Sequence, residues 1–186
     1  MFSRVFRIVP PAILLVFAIT SPCHAQWRSN GGLEEDNPSS VAAGDFGASL
    51  MLTDDHNGLF EAWNRPPSPD YGPNISVVDS AERGDIILAF VIFTGCEEDL
   101  DGHCNLTVEY SAYFPDGEDY GEHSGELWVG KPDPGIGSLQ LSEGNLGLRI
   151  EADDPFGEYR IVAKIVDKVS GANYSLETTL TVVETK

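Results

Sequence analysis

Hydrophobic residues in this chain occur in short runs in which every second position is apolar, and Gly, Pro, Asn and Asp separate the runs. Side chains of a β-strand point alternately to the two faces of a sheet, so this period predicts strands with one buried face. The predicted strands are 46–53, 75–79, 85–93, 105–114, 126–129, 138–141, 147–152, 158–169 and 174–184. A short helical turn is predicted only at 59–63, before Pro66 and Pro67. The expected fold class is all-β, an antiparallel sandwich of seven to nine strands.

The clearest alternation lies in the last two predicted strands. Their apolar positions form two rows, Tyr159, Ile161, Ala163 and Ile165 in the first strand and Leu176, Thr178, Leu180 and Val182 in the second. Because the link 170–173 is a short turn, the two strands are predicted to pair as a β-hairpin. A shift of one residue in the pairing would expose both rows to water, which favours this register.

The first 25 residues have the pattern of a secretory signal peptide. Arg4 and Arg7 precede the apolar run 8–20, and the predicted leader, 1–25, ends at Ala25. This run is short for a membrane span, and no later run approaches the roughly 20 apolar residues that a spanning helix needs. We therefore expect a periplasmic or secreted protein with no membrane insertion after leader removal. A lipid on Cys23 is the alternative, although the residues before it do not resemble a lipoprotein signal.

The chain after the leader divides into two parts. Residues 26–45 are polar, acidic and rich in turn-forming residues, which predicts a flexible arm. Residues 46–186 have the size of one domain and are expected to form the sandwich. No repeat is visible along the chain, which argues against solenoids and propellers.

A six-residue segment carries a family resemblance. Residues 154–159, Asp-Pro-Phe-Gly-Glu-Tyr, resemble the corner before strand F of immunoglobulin-like domains, where a tyrosine hydroxyl bonds to nearby backbone. The resemblance covers about residues 85–184 and implies that the last two predicted strands correspond to strands F and G. Ile161 occupies the position of a cysteine in antibody domains, so their inter-sheet disulfide is not expected. Trp128 follows the predicted strand C instead of lying on it.

The same corner belongs to a wider set of short segments. With 95–96, 102–104, 115–117 and 126–128 it is similar to segments of small exported proteins of Gram-negative bacteria. That likeness implies a periplasmic or secreted location and no particular activity.

The charge of the chain excludes two classes of partner. Removal of the leader leaves nine basic against 30 acidic residues, a formal charge of −21. Nucleic acids and anionic membranes bind clustered Lys and Arg, so neither is an expected partner. Because the acidic residues are scattered, solubility is the simplest reason for them, and a cation or a basic partner is the alternative.

Cys96 and Cys104 are the two cysteines that remain after the leader, and they are predicted to form a disulfide in an oxidising compartment. Closing so short a loop removes roughly 2.5 kcal/mol of unfolded-state entropy. A redox-active pair is the alternative, but such pairs usually have two residues between the cysteines and lie at the start of a helix.

The loop between these cysteines resembles a calcium loop only in part. Glu97, Asp99, Asp101 and Gly102 have suitable spacing, but Val108 occupies the place of the bidentate Glu. A second acidic group, Asp116, Glu118, Asp119 and Glu122, is expected at the opposite end of the sandwich. Asp54, Asp55 and His56 form a further acidic turn without the remaining ligands. The histidines His56, His103 and His123 form no zinc motif, so no metal and no cofactor is predicted.

The sequence holds no motif of a nucleophile or a phosphate-binding loop. Carboxylate pairs such as Asp153 and Asp154 come with no recognisable cleft, so no catalytic residue is predicted and the protein is not expected to be an enzyme. The aromatic residues that suggest a sugar-binding platform are Trp63, Tyr71, Tyr110, Tyr113, Tyr120 and Trp128. Of these, Tyr113 is expected in the core, and Trp63 and Tyr120 at the surface. The favoured function is a non-catalytic exported binding or interaction module with a protein partner. A glycan- or calcium-binding β-sandwich module is the alternative.

Overall fold

The computed structural model describes residues 37–65, 73–135 and 137–184. Ten strands and one helix follow one another along these residues. They are β1 (Ser40–Ala43), β2 (Phe46–Thr53), α1 (His56–Asn64), β3 (Ser80–Glu82), β4 (Ile86–Thr94), β5 (Cys104–Tyr113), β6 (Asp119–Lys131), β7 (Gln140–Leu141), β8 (Leu146–Arg149), β9 (Gly157–Asp167) and β10 (Asn173–Val183).

The strands form two sheets that pack face to face as a sandwich. In the first sheet β1, β2 and β4 are neighbours, and both β7 and β8 pair with the other side of β4. The second sheet has the order β3, β10, β9, β5, β6. All pairs are antiparallel except that of β3 with β10, which is parallel. The predicted all-β sandwich is confirmed, with ten strands in place of seven to nine.

The core lies between the sheets and follows the predicted alternation. On β9, Tyr159, Ile161, Ala163 and Ile165 are all buried against the first sheet. On β10, Leu176, Leu180 and Val182 are buried, and Thr178 is half-buried. Residues 157–166 of β9 pair with 173–182 of β10, so the predicted hairpin is confirmed.

The outer face of the first sheet has a second, smaller core beneath α1. Phe90 and Ile92 of β4 pack there against Leu59 of the helix. The helix extends beyond the predicted turn because the Asp55 carboxylate accepts a hydrogen bond from the Gly58 N–H at 2.9 Å, which caps its first turn. In the described parts of the chain, no helix has the length and apolar composition to span a membrane.

The sandwich begins earlier than the sequence predicted. Strand β1 lies inside the segment 26–45, which was expected to be an arm, and pairs with β2. Before it, the Pro38 carbonyl accepts a hydrogen bond from the Glu177 N–H of β10, and the Ser39 carbonyl accepts one from the Leu50 N–H of β2. Residues 38–43 therefore belong to the sandwich and join its two sheets. The predicted leader, 1–25, and the arm residues 26–36 lie outside the described residues.

Two predicted strands differ from the structure for local reasons. No strand forms at 75–79, and the short β3 follows it. Strand β6 begins at Asp119, well before the predicted 126–129, because its first half is polar and lies at the edge of the sheet, where alternation is not needed.

The tyrosine corner implied by the family resemblance is present. The Tyr159 hydroxyl donates a hydrogen bond to the Pro155 carbonyl at 2.9 Å. The Tyr159 ring packs with those of Phe114 and Tyr120, with centroids 5.7 and 5.5 Å away. This corner closes one end of the sandwich.

Tyr110 of β5 links the two sheets from inside the core. Its ring is 1% exposed, and its hydroxyl donates a hydrogen bond to the Gly144 carbonyl at 3.0 Å. Nearby, the Ser142 hydroxyl accepts a hydrogen bond from the Val91 N–H of β4 at 3.1 Å. Burial raises the pKa of Tyr110 to about 12.

Stability should therefore fall when the pH rises from 10.0 towards about 12, because the unfolded state loses the Tyr110 proton near 10.0 while the folded state holds it. The contribution is fully present below 10.0 and is lost as the pH passes the folded value. Urea unfolding at a series of pH values measures it. The Tyr110→Phe variant should show a smaller decline, and equal declines in the two proteins would contradict this assignment.

Candidate functional site

The candidate site is the loop that crosses from the first sheet to the second between β4 and β5. We call residues 96–104 the cysteine loop. Gly95 precedes it with a φ of +70°, and a Cβ there would lie 2.2 Å from the Asp45 carbonyl oxygen. A glycine is therefore needed where the chain leaves β4 and passes close to the start of β2.

Cys96 and Cys104 close the loop at its base. They lie at disulfide distance, with Cα atoms 5.9 Å apart, as the sequence predicted. Cys104 is 1% exposed at the start of β5, and Cys96 is half-buried. The base of the loop is thus part of the packed sandwich.

The tip of the loop is held by bonds to one carboxylate. Asp99 Oδ1 accepts hydrogen bonds from the N–H groups of Asp101 and His103, each at 2.9 Å. The Asp99 N–H donates to the His103 carbonyl at 2.9 Å, and the Gly102 N–H donates to the Asp99 carbonyl at 3.0 Å. The bond from His103 is the main cause of a lowered Asp99 pKa. These bonds fix the shape of the tip without help from the cysteines.

A second carboxylate fixes the loop to the hairpin. Asp167, only 3% exposed at the end of β9, accepts a hydrogen bond from the Glu97 N–H at 3.2 Å. Its other oxygen accepts bonds from Val169 and Ser170, at 2.9 and 3.3 Å, which order the β9–β10 turn. Asp167 therefore connects the cysteine loop to that turn.

Leu100 lies at the tip and is fully exposed, with a relative exposure of 106%. The neighbouring side chains of Glu97, Glu98, Asp99 and Asp101 are also exposed. A hydrophobic side chain thus projects from a rigid acidic loop. The sequence signal for this position is a single leucine within an acidic run.

In the part of the chain that the structure describes, the acidic side chains of the partial calcium loop do not come together as a set of metal ligands. Among the described residues, the one group of three potential ligand atoms within 4.8 Å of one another belongs to Cys96, Cys104 and Asp133. Glu97 and Asp101 are not part of such a group. The second acidic group, 116–122, follows the far end of β5, away from the cysteine loop as predicted.

The aromatic residues also do not form one platform. Tyr110 is in the core, and Trp63 packs beside the small core under α1. The Tyr113 ring, expected in the core, is half-buried, because Arg160 covers it on the outer face at 4.0 Å from the ring centroid. Tyr71 lies outside the described residues.

The two aromatic residues of β6 are partly covered as well. Lys131 lies over the Trp128 ring at 4.3 Å from its centroid, and the Trp128 Nε1–H donates to the Pro132 carbonyl. Tyr120, expected at the surface, packs edge-on to Phe114 at 4.7 Å. Its hydroxyl donates to Asp154, and burial is the main cause of its raised pKa.

The sequence matches no protein-family model, and no curated protein matches it. Among solved structures, a family 123 glycoside hydrolase from Clostridium perfringens, described for glycolipid glycan hydrolysis, is similar with a TM-score of 0.43 and 10% identity over 75% of this chain. This chain spans 27% of that protein.

Two further solved structures are similar to parts of this chain. The C-terminal domain of Wzt gives a TM-score of 0.43 and 11% identity over 79% of this chain and 78% of its own. An immunoglobulin-like protein from Pseudomonas aeruginosa gives 0.30 and 16% over 60% of this chain and 83% of its own. At these TM-scores the similarities carry no argument about function.

Replacing both Cys96 and Cys104 by Ser should lower the free energy of unfolding by roughly 2.5 kcal/mol, because the unfolded chain gains the freedom that the closed loop removes. Urea unfolding measures the loss, and circular dichroism should show an unchanged β-sheet content. Reduction of the unmodified protein is the control and should give the same loss. Equal stability of the reduced and oxidised proteins would contradict the structural role of the pair.

Proposed function

We propose that this protein is a non-catalytic interaction module, exported to the periplasm or beyond the cell, that binds a protein partner through the tip of the cysteine loop. The predicted leader and a cysteine pair at disulfide distance support export. The observation that carries the proposal is the full exposure of Leu100 on a loop with a fixed shape.

The exposure of Leu100 supports a contact with another molecule. Apolar side chains at the centre of an interface contribute to affinity because binding removes them from water. Among the described residues, Leu100 belongs to neither hydrophobic core. Its removal is therefore expected to change binding and to leave folding intact.

The rigidity of the loop supports the same conclusion. Binding is weakened when a flexible loop must become ordered. Here the disulfide fixes the base, Asp99 fixes the tip and Asp167 fixes the side of the loop. The backbone that carries the leucine is thus ordered before any partner arrives.

The charge around the leucine indicates the chemistry of the partner. The carboxylates of Glu97, Glu98, Asp99 and Asp101 surround it on the same short loop. A matching surface has an apolar pocket with Lys or Arg at its rim, which would attract the loop over a distance and repel acidic competitors. The association rate is expected to fall with salt.

The shifted pKa values support a non-catalytic protein. In the described part of the chain, they belong to Asp99 and to four tyrosines, Tyr110, Tyr120, Tyr159 and Tyr174. Backbone hydrogen bonds lower the pKa of Asp99, and burial is the main cause of each tyrosine shift. These shifts follow from turns and packing, and none of them requires a catalytic cleft.

Leu100→Ala should weaken capture of the partner from an envelope extract by roughly tenfold or more, because the complex loses the leucine side chain that binding would remove from water. The matched control is Val77→Ala, a residue 59% exposed beside the end of β2, at the opposite end of the sandwich. Quantitative mass spectrometry of the proteins retained by the native chain and both variants gives the comparison.

Support requires a protein that the native chain and the Val77→Ala variant retain equally and that the Leu100→Ala variant loses. Equal retention by both variants would overturn the role of the loop. A glycan array is the second arm of the experiment, and binding there that is unaffected by Leu100→Ala would favour a glycan-binding module instead.

A further inference from the structure

Three potential metal ligands meet at the base of the cysteine loop. The sulfur atoms of Cys96 and Cys104 and a carboxylate oxygen of Asp133 all lie within 4.8 Å of one another. The Cys96 Sγ is 3.7 Å from Asp133 Oδ1. Asp133 follows β6, so the third group comes from a part of the chain that is distant in sequence.

The peptide group that joins Pro132 to Asp133 makes two hydrogen bonds. The Asp133 N–H donates a hydrogen bond to Glu98 Oε1, with nitrogen and oxygen 3.4 Å apart. This bond connects the segment after β6 to the cysteine loop. The Pro132 carbonyl accepts the hydrogen bond from the Trp128 Nε1–H of β6. The carboxylate of Asp133 is half-buried beside the two sulfurs.

The distance between Cys96 and Asp133 fits two ligands of one tetrahedral metal ion, and the two sulfur atoms, bonded to each other here, have to move apart on reduction. Zinc binds thiolate sulfur at about 2.3 Å and carboxylate oxygen at about 2.0–2.2 Å, so a sulfur and an oxygen on one ion lie about 3.5 Å apart. The Cys96–Asp133 separation of 3.7 Å is close to this value. We propose that Cys96, Cys104 and Asp133 bind one Zn²⁺ ion when the disulfide is reduced to two thiols.

The reaction balances with a dithiol reductant. Its thiolate attacks the half-buried Cys96 sulfur, the sulfur–sulfur bond breaks, and Cys104 leaves as a thiolate that takes up the proton lost by the attacking thiol. The second thiol of the reductant then displaces the Cys96 thiol and completes the reductant's own disulfide. Metal binding releases two protons from the two cysteine thiols to solvent, and a water molecule completes the four ligands.

Cobalt titration of the reduced protein tests this site, because Co²⁺ replaces Zn²⁺ in tetrahedral thiolate sites and absorbs light. A phosphine keeps the thiols reduced without competing as a thiol ligand. One Co²⁺ should bind per chain with thiolate charge-transfer absorption, and added Zn²⁺ should remove this absorption. The oxidised protein should show no such band.

Asp133→Asn is the decisive variant, and it should weaken Co²⁺ binding by at least about tenfold, the factor that even outer-shell partners contribute. The matched control is Asp101→Asn, because Asp101 is an exposed carboxylate of the cysteine loop that does not belong to the three proposed ligands. It should bind Co²⁺ as the native chain does.

Three results would overturn the proposal. They are equal binding by the two asparagine variants, no stoichiometric binding by the reduced chain, and loss of the β-sheet signal in circular dichroism on reduction alone. The last result counts because the site requires Asp133 to stay beside the two thiols. None of these results depends on whether Leu100 contacts a partner.

Discussion

Burial of β4 on both faces is the constraint on which the rest of the structure depends. Val91 and Phe93 point into the main core, while Phe90 and Ile92 point the other way, beneath α1. A strand that is apolar on both faces needs a cover on each, so the second sheet and the helix are both required. The cysteine loop starts two residues after this strand ends, so its base is attached to a strand that is packed on both faces.

The two ends of the sandwich are closed in different ways. At the tyrosine corner, the Tyr159 hydroxyl bonds to backbone, and the Asp154 carboxylate accepts hydrogen bonds from the Tyr120 hydroxyl and the Glu151 N–H. These polar groups are bonded within the fold. At the opposite end Asp167 satisfies the base of the loop, whereas the leucine and the acids of the tip face solvent.

Local patterns predicted those parts of the fold that bury one face. The β9–β10 hairpin, the cysteine pair and the tyrosine corner each follow from residues close in sequence. The first half of β6 escaped prediction because an edge strand with polar residues shows no period. The expectation of Tyr113 in the core is wrong, because its position on β5 puts it beside Arg160 on the outer face. The approach of Asp133 to Cys96 spans 37 residues, and no local pattern shows it.

The tip of the cysteine loop is ordered by hydrogen bonds within the loop, whereas its base is closed by contacts with the rest of the sandwich. The bonds of Asp99 to residues 101–103 involve neither cysteine, so the tip has a reason to keep its shape in either redox state. The base depends on contacts with β5 and with the hairpin turn, both parts of the sandwich. A disulfide, or a metal ion held by the same two sulfurs, closes the same ring of residues. The loop that carries Leu100 is therefore positioned by the sandwich, and the disulfide or the metal ion at its base limits how far the loop can move.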